Sequence, residues 1–86
     1  MGNYRILVKK SAAAELERIS GEDLSRIVKR ISALAQDPRP RGCEKLSALE
    51  RYRVRQGDYR IVYSIDDAER TVTIFKIGHR REVYRK

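Results

Sequence analysis

Between Tyr4 and Lys9 the apolar positions recur every second residue, with Tyr4, Ile6 and Val8 on one side and Leu7 on the other. This period of two predicts a strand. Ser11 then offers a side-chain acceptor to the free backbone N–H groups of a helix opening at Ala12, within which Leu16 and Ile19 fall at helical spacing. A turn at Ser20-Gly21-Glu22-Asp23, with Ser20 and Asp23 placed as a capping box, leads to a second helix. Leu24, Ile27, Val28, Ile31, Leu34 and Ala35 step along it by threes and fours, the stripe of a helix lying on a sheet, and Arg26, Lys29 and Arg30 occupy the opposite face. Pro38 disfavours helical geometry in the residue before it, so this helix ends near Asp37.

The proline-rich stretch from Asp37 to Gly42 joins a helical half to a β half and is a connector within one domain. Beyond it, Tyr52 and Val54 alternate with Arg53 and Arg55, and Gln56-Gly57-Asp58 signals a turn. The next strand runs from Tyr59 to Ile65, with Tyr59, Ile61, Tyr63 and Ile65 on one side and Arg60, Val62 and Ser64 on the other. A turn follows at Asp66-Asp67-Ala68-Glu69. Thr71 to Ile77 is β-branched and aromatic enough for a central strand buried on both faces, with Gly78 ending it, and residues 81–86 add a short extension. The expected fold class is therefore α+β: residues 1–86 form one domain of order β-α-α-β-β-β, an antiparallel sheet with a helical pair packed on one face.

Length and composition narrow the function. An 86-residue chain buries only about 60% of its unfolded surface and has no room for a second core, which excludes a large cofactor-binding enzyme. The single cysteine, Cys43, allows neither an internal disulfide nor a Cys-rich zinc site, and fits a reducing compartment. No apolar run is long enough to span a bilayer and the N-terminus carries no apolar signal core, so a cytoplasmic protein without membrane association is expected. The formal charge of +8 points to a polyanionic partner. That charge is concentrated: residues 41–60 and 76–86 contribute +3 and +4, whereas residues 61–75 carry −2. If the strands pair as hairpin neighbours, Arg53, Arg55 and Arg60 share the sheet face left uncovered by the helices, with Arg80 and Arg81 at its rim. Arginines on a solvated face also keep a small domain soluble and discourage edge pairing. Crowding like charges on adjacent strands is nonetheless unfavourable. It is better understood if a phosphate fills the gap, because guanidinium forks match phosphate oxygens and interleaved tyrosines can stack on unpaired bases.

The residues from Tyr52 to Tyr63, Tyr-Arg-Val-Arg-Gln-Gly-Asp-Tyr-Arg-Ile-Val-Tyr, followed by Ile77-Gly-His-Arg-Arg-Glu-Val-Tyr84, resemble the RelE branch of the RelE/ParE toxin superfamily. Asp37-Pro-Arg39, the loop from Glu44 to Leu49 and the βααβββ order extend the resemblance over essentially the whole chain. It implies a toxin of a toxin–antitoxin pair that cuts messenger RNA, usually in the ribosomal A site, without a metal or other cofactor. The 2′-hydroxyl attacks the adjacent phosphate and leaves a 2′,3′-cyclic phosphate. The implied catalytic residues are Arg53, Arg55, Arg60, Arg80 and Tyr84; beside them Lys45, Arg51, His79 and Arg81 are expected as RNA contacts. The implied partners are a cognate antitoxin, ribosome-bound message and, for the toxin–antitoxin pair alone, operator DNA. Arginine stands at 53 and 55 where some members have lysine, so these side chains cannot shed a proton. With the sequence running only two residues past Tyr84, no counterpart of the C-terminal helix found in some members is expected.

Such a reaction needs removal of the 2′-hydroxyl proton, stabilisation of the phosphorane and protonation of the 5′-oxygen. Arg60 and Arg80 suit the phosphate, Arg53 and Arg55 the phosphate and leaving group, and Tyr84 is a base or positioner whose hydroxyl needs nearby guanidinium groups to acidify it. His79, the one histidine, is an auxiliary acid or base; as a lone turn residue it reads equally as ordinary surface. Cys43 reads as inert. Asp66, Asp67 and Glu69 read as a solvated turn rather than a metal site, and no Gly-rich phosphate loop is present. Two other classes stay open: a ParE-like toxin that inhibits DNA gyrase without cutting RNA, and a non-catalytic nucleic-acid-binding module.

Overall fold

A computed structural model describes residues 3–46 and 50–79. Strand β1 (Arg5–Val8) runs directly into helix α1 (Lys10–Glu17), and α2 (Gly21–Ala33) follows. Four strands complete the order: β2 (Glu44–Leu46), β3 (Arg51–Gln56), β4 (Tyr59–Asp66) and β5 (Thr71–His79). They form one five-stranded sheet of order β1-β5-β4-β3-β2. The α+β class with two helices is as expected. One pairing is parallel, β1 with β5, while β2 to β5 form an antiparallel meander. The helical pair carries the chain from β1 to the far edge, and three reversals bring β5 back beside β1 in the same direction. The short strand β2 lies within the segment expected to be a loop.

Several local expectations change for identifiable reasons. Helix α1 opens at Lys10 rather than Ala12, and Ser11 is not its cap. The N–H of Lys9 still donates to the Ile74 carbonyl at 3.0 Å while its own carbonyl accepts from Ala13 at 2.9 Å, so strand and helix share that residue. Ser20 is the extended N-cap of α2 but makes no side-chain cap bond. Strand β5 runs on through Gly78 to His79, and its burial alternates instead of being complete on both faces. Val28 is 45% exposed, because it lies at the margin of a stripe centred on Ile27 and Ile31.

The core joins Ile27, Ile31 and Leu34 of the α2 segment, with Ala12 and Ile19, to Val54, Ile61, Tyr63, Val72, Ile74 and Ile77 of the sheet. Among the described residues no helix is long and apolar enough to cross a membrane. The proline-rich connector is pinned to this core. Pro38 is buried, and the Tyr63 hydroxyl donates to its carbonyl at 2.6 Å. Burial pushes that phenol far above its ordinary pKa, so it stays a donor across the physiological range. Tyr63→Phe leaves the Pro38 carbonyl without this donor and should lower stability by about 1–3 kcal/mol. In urea denaturation the midpoint should fall with the slope unchanged.

The turn between β4 and β5 also holds the connector. Asp67 accepts from the Tyr4 hydroxyl at 2.7 Å and from both terminal nitrogens of Arg39, at 3.3 and 3.0 Å. The Arg39 guanidinium in turn lies 5.3 Å from the Tyr52 ring centroid. Asp67, expected to be simply solvated, is therefore a three-bond acceptor; these partners hold its carboxyl below the ordinary range.

Candidate active site

The β3–β4 hairpin sets the site's register. Gln56 pairs with Tyr59 across the two residues Gly57 and Asp58. Gly57 has φ +62°, the left-handed value that a tight hairpin turn requires and that glycine adopts without strain. That register places Arg55 directly opposite Arg60 and Arg53 opposite Val62. By strand alternation Arg53, Arg55 and Arg60 project from the face away from the helices, as the sequence pattern predicts, and Arg51 joins them. Arg60 has Gly78 as its partner on the other side, so no side chain crowds it there.

The arginines differ sharply in environment. Arg55 is exposed. Arg60 is only 4% exposed and donates to the Tyr59 carbonyl at 3.5 Å. A guanidinium cannot discharge to escape burial, so a buried one marks a place where charge is held for interaction. The Arg53 side chain is 14% exposed and donates to the Glu44 carboxylate, its cross-strand neighbour on β2. Hydrogen bonding from Arg53, and then the fields of Arg53, Arg55 and Arg60, pull the Glu44 carboxyl below its ordinary range. Arg53 alone holds this carboxylate, and Arg55 and Arg60 add to the positive field around it. The sequence pattern does not mark Glu44 as a member of this cluster.

The sign of this shift gives a pH test. A carboxyl whose pKa is lower in the folded protein contributes its pairing fully above the unfolded value of about 4.3 and loses it as pH falls through the folded value. Nothing should change between neutral pH and about pH 5. In a carbon-detected NMR titration the Glu44 midpoint should lie below the ordinary value and move up in Arg53→Gln; an unshifted midpoint would remove the pairing.

The other expected residues are distributed around this cluster. The Arg51 guanidinium stacks over Phe75, 3.7 Å from its ring centroid, and the Lys9 ammonium lies 5.2 Å from the same ring. Phe75 is the extra residue of a bulge in β5, opposite Val62 and Tyr63 of β4. Strict alternation could not have shown where its ring would go. Lys45 pairs with Glu50 at 3.5 Å on the rim. His79 departs from expectation. It pairs with Tyr59, whose parity is that of the core face, and packs edge-to-face on that ring at 5.7 Å. It lines a cavity of about 200 Å³ with Glu15, Arg18 and Ile19 of the helical layer. The structure therefore separates His79 from the arginine face. Arg80, Arg81 and Tyr84 lie outside the described residues. Among the described residues no cluster of His, Cys, Asp or Glu is suited to a metal ion, and Cys43 is a half-buried free thiol.

Comparison with known proteins supplies the class. Residues 6–84 match the model of a family described as the ParE toxin of the type II toxin–antitoxin system, parDE. Toxin RelE of Mycobacterium tuberculosis is 32% identical over 84 residues, covering 95% of this chain and 87% of that relative. A chain of the crystal structure of the toxin–antitoxin complex RelBE2 from the same organism superposes with a TM-score of 0.81 at 27% identity, over 92% of this chain and 93% of the other. The archaeal RelE–RelB complex from Pyrococcus horikoshii also gives 0.81 at 27% identity, covering 91% and 96%. Fold and relatives together define a toxin of a type II toxin–antitoxin system. The chain belongs to the ParE toxin family, within the RelE/ParE superfamily.

Proposed function

We propose that this toxin is an endoribonuclease that cleaves messenger RNA on the ribosome by attack of a 2′-hydroxyl on the neighbouring phosphate, leaving a 2′,3′-cyclic phosphate. The observation that carries the reading is the gathering of Arg53, Arg55 and Arg60 on one sheet face, where Arg53 already grips a carboxylate, Glu44. A scissile phosphodiester competes with Glu44 for Arg53 and gains the fields of the other two. Arg60, buried and held by the sheet, aims fixed charge at the phosphorane; Arg53 and Arg55 serve the phosphate and the departing 5′-oxygen. Arginine does this without changing protonation, so the proton transfers fall to other groups. Arg80 is assigned to the phosphate beside Arg60, and Tyr84 to positioning or deprotonating the 2′-hydroxyl. The guanidinium cluster itself stabilises developing charge, a role that needs no metal or cofactor.

The regulatory partner is a cognate antitoxin, as in the RelE–RelB complexes that share the fold. Its acidic stretch neutralises the basic face, and the resulting pair, not the toxin alone, binds operator DNA. The toxin acts in the cytoplasm, where its message is translated. One observation favours a second reading: the matching family carries the ParE description, and a ParE-like toxin would inhibit DNA gyrase and leave RNA intact. Primer extension on ribosome-bound message decides between them. Discrete cuts that disappear in Arg55→Ala and Arg80→Ala, with the far-ultraviolet spectrum retained, support the nuclease. Intact message beside inhibited supercoiling supports the other.

A further inference from the structure

The arginine face is not the only basic surface. On the helix side of the sheet, Arg26, Lys29 and Arg30 of α2 line an open cleft of about 410 Å³ with Ala33 and Gln56. Three cations meet there. Among the described residues the one carboxylate bound to any of them is Glu22, on Arg26 at 3.2 Å, and both side chains of that pair are largely exposed, so it neutralises little. The Nε of Arg30 is buried and has no hydrogen-bond acceptor among the described residues. Buried donors of this kind are rarely left unused, and an anion in the cleft is what the donor set fits.

Position identifies the anion. Gln56 ends β3 and turns its side chain into the cleft, whereas Arg55, one residue earlier, projects to the arginine face. The two basic surfaces therefore meet around the tip of the β3–β4 hairpin, Gln56 to Tyr59. A polyanion that leaves the arginine face at Arg55 and rounds this tip passes one exposed carboxylate, Asp58, and then reaches Arg30, Lys29 and Arg26 before the acidic first turn of α2 at Glu22 and Asp23. We infer that the α2 cleft is a second RNA-binding site, taking backbone phosphates that flank the scissile one, so that bound RNA wraps the hairpin tip. The contacts are to phosphate and carry no base preference. An acidic protein segment offers the same charge, but continuity with the arginine face favours the nucleic acid.

The inference rests on the RNA-cleaving reading, and the test keeps the two apart. Arg26 and Lys29 are exposed, so Arg26→Gln/Lys29→Gln should fold. The probe is a single-stranded RNA of about twenty nucleotides with a 2′-deoxy residue at the mapped cleavage position, followed by fluorescence anisotropy over a range of salt. The double variant should bind about tenfold more weakly at low salt, with a log–log salt slope shallower by about 1.4, the share of two single-strand phosphate contacts. Lys10→Gln, at the start of α1, should keep the wild-type slope. A probe shortened to the few nucleotides around the scissile bond should bind wild type and double variant alike. An unchanged slope with the long probe, while the wild type still binds and cleaves, overturns the cleft and leaves the nuclease standing. Loss of affinity for poly-glutamate but not RNA overturns it in favour of an acidic protein. A wild type that neither holds nor cuts RNA overturns both.

Discussion

Arg60→Ala should slow RNA cleavage by about 100- to 1000-fold, about 3–4 kcal/mol of transition-state stabilisation, measured as single-turnover rates on saturating message. The expectation follows from a guanidinium that is 4% exposed and shares the sheet face of Arg53 and Arg55, on which Arg53 holds the Glu44 carboxylate. A charge fixed in a protein-lined site needs no reorganisation when the phosphorane forms, which is why one such donor counts for so much. Stability should respond the other way or hardly at all. The substitution removes a buried positive charge that faces Arg55 across the hairpin, and relief of like-charge repulsion offsets the lost packing. Arg60→Lys should recover only part of the rate, since an ammonium cannot offer two parallel donors to a phosphate. If Arg60→Ala instead mainly lowers the melting temperature and cleavage survives, Arg60 is a structural residue and the catalytic assignment fails.

The largest expected stability effect lies in the helical layer. Ile27 is fully buried where α2 meets the sheet, among Ile31, Leu34 and the strand residues of the core. Ile27→Ala should cost about 2–5 kcal/mol, part lost transfer energy and part the cavity left behind. In a chain of this size each kcal/mol moves the melting temperature by roughly 4–8 °C, so a fall of at least about 8 °C should be plain in thermal denaturation. The neighbouring Val28→Ala is the matched comparison. Val28 is 45% exposed, so its truncation should cost roughly 0.5 kcal/mol or less. Equal losses at the two positions would mean that α2 packs in another rotation, and the α2 cleft with it.

Much of the arginine face was legible from alternation alone. Period two across Tyr52–Arg55 and Tyr59–Ile65, with a glycine turn between, fixes both which residues share a face and which pair. That is why Arg53, Arg55 and Arg60 could be set on one face before any coordinates. Three features were not legible. Glu44 belongs to a three-residue strand, too short to show a period, and only pairing to β3 brings its carboxylate to Arg53. Phe75 occupies a bulge, which breaks the alternation that any pattern reading relies on. His79 adjoins Arg80 in sequence, yet strand β5 continues through Gly78 and turns the imidazole toward the helices.

By itself the sequence determined what short-range chemistry can enforce: two helices from their three-and-four spacing, strands from period two and from β-branched content, breaks at proline and glycine, and a positive charge concentrated in residues 41–60 and 76–86. These are properties of neighbours along the chain, and each residue carries its own signal for them. Tertiary structure alone decided the parallel pairing of β1 with β5, the burial of Arg60, the capture of Arg53 by Glu44 and the separation of two basic surfaces around one hairpin tip. Each of those depends on residues far apart in sequence meeting across a sheet, where register and the loss of solvent, not composition, set how strongly a charge acts.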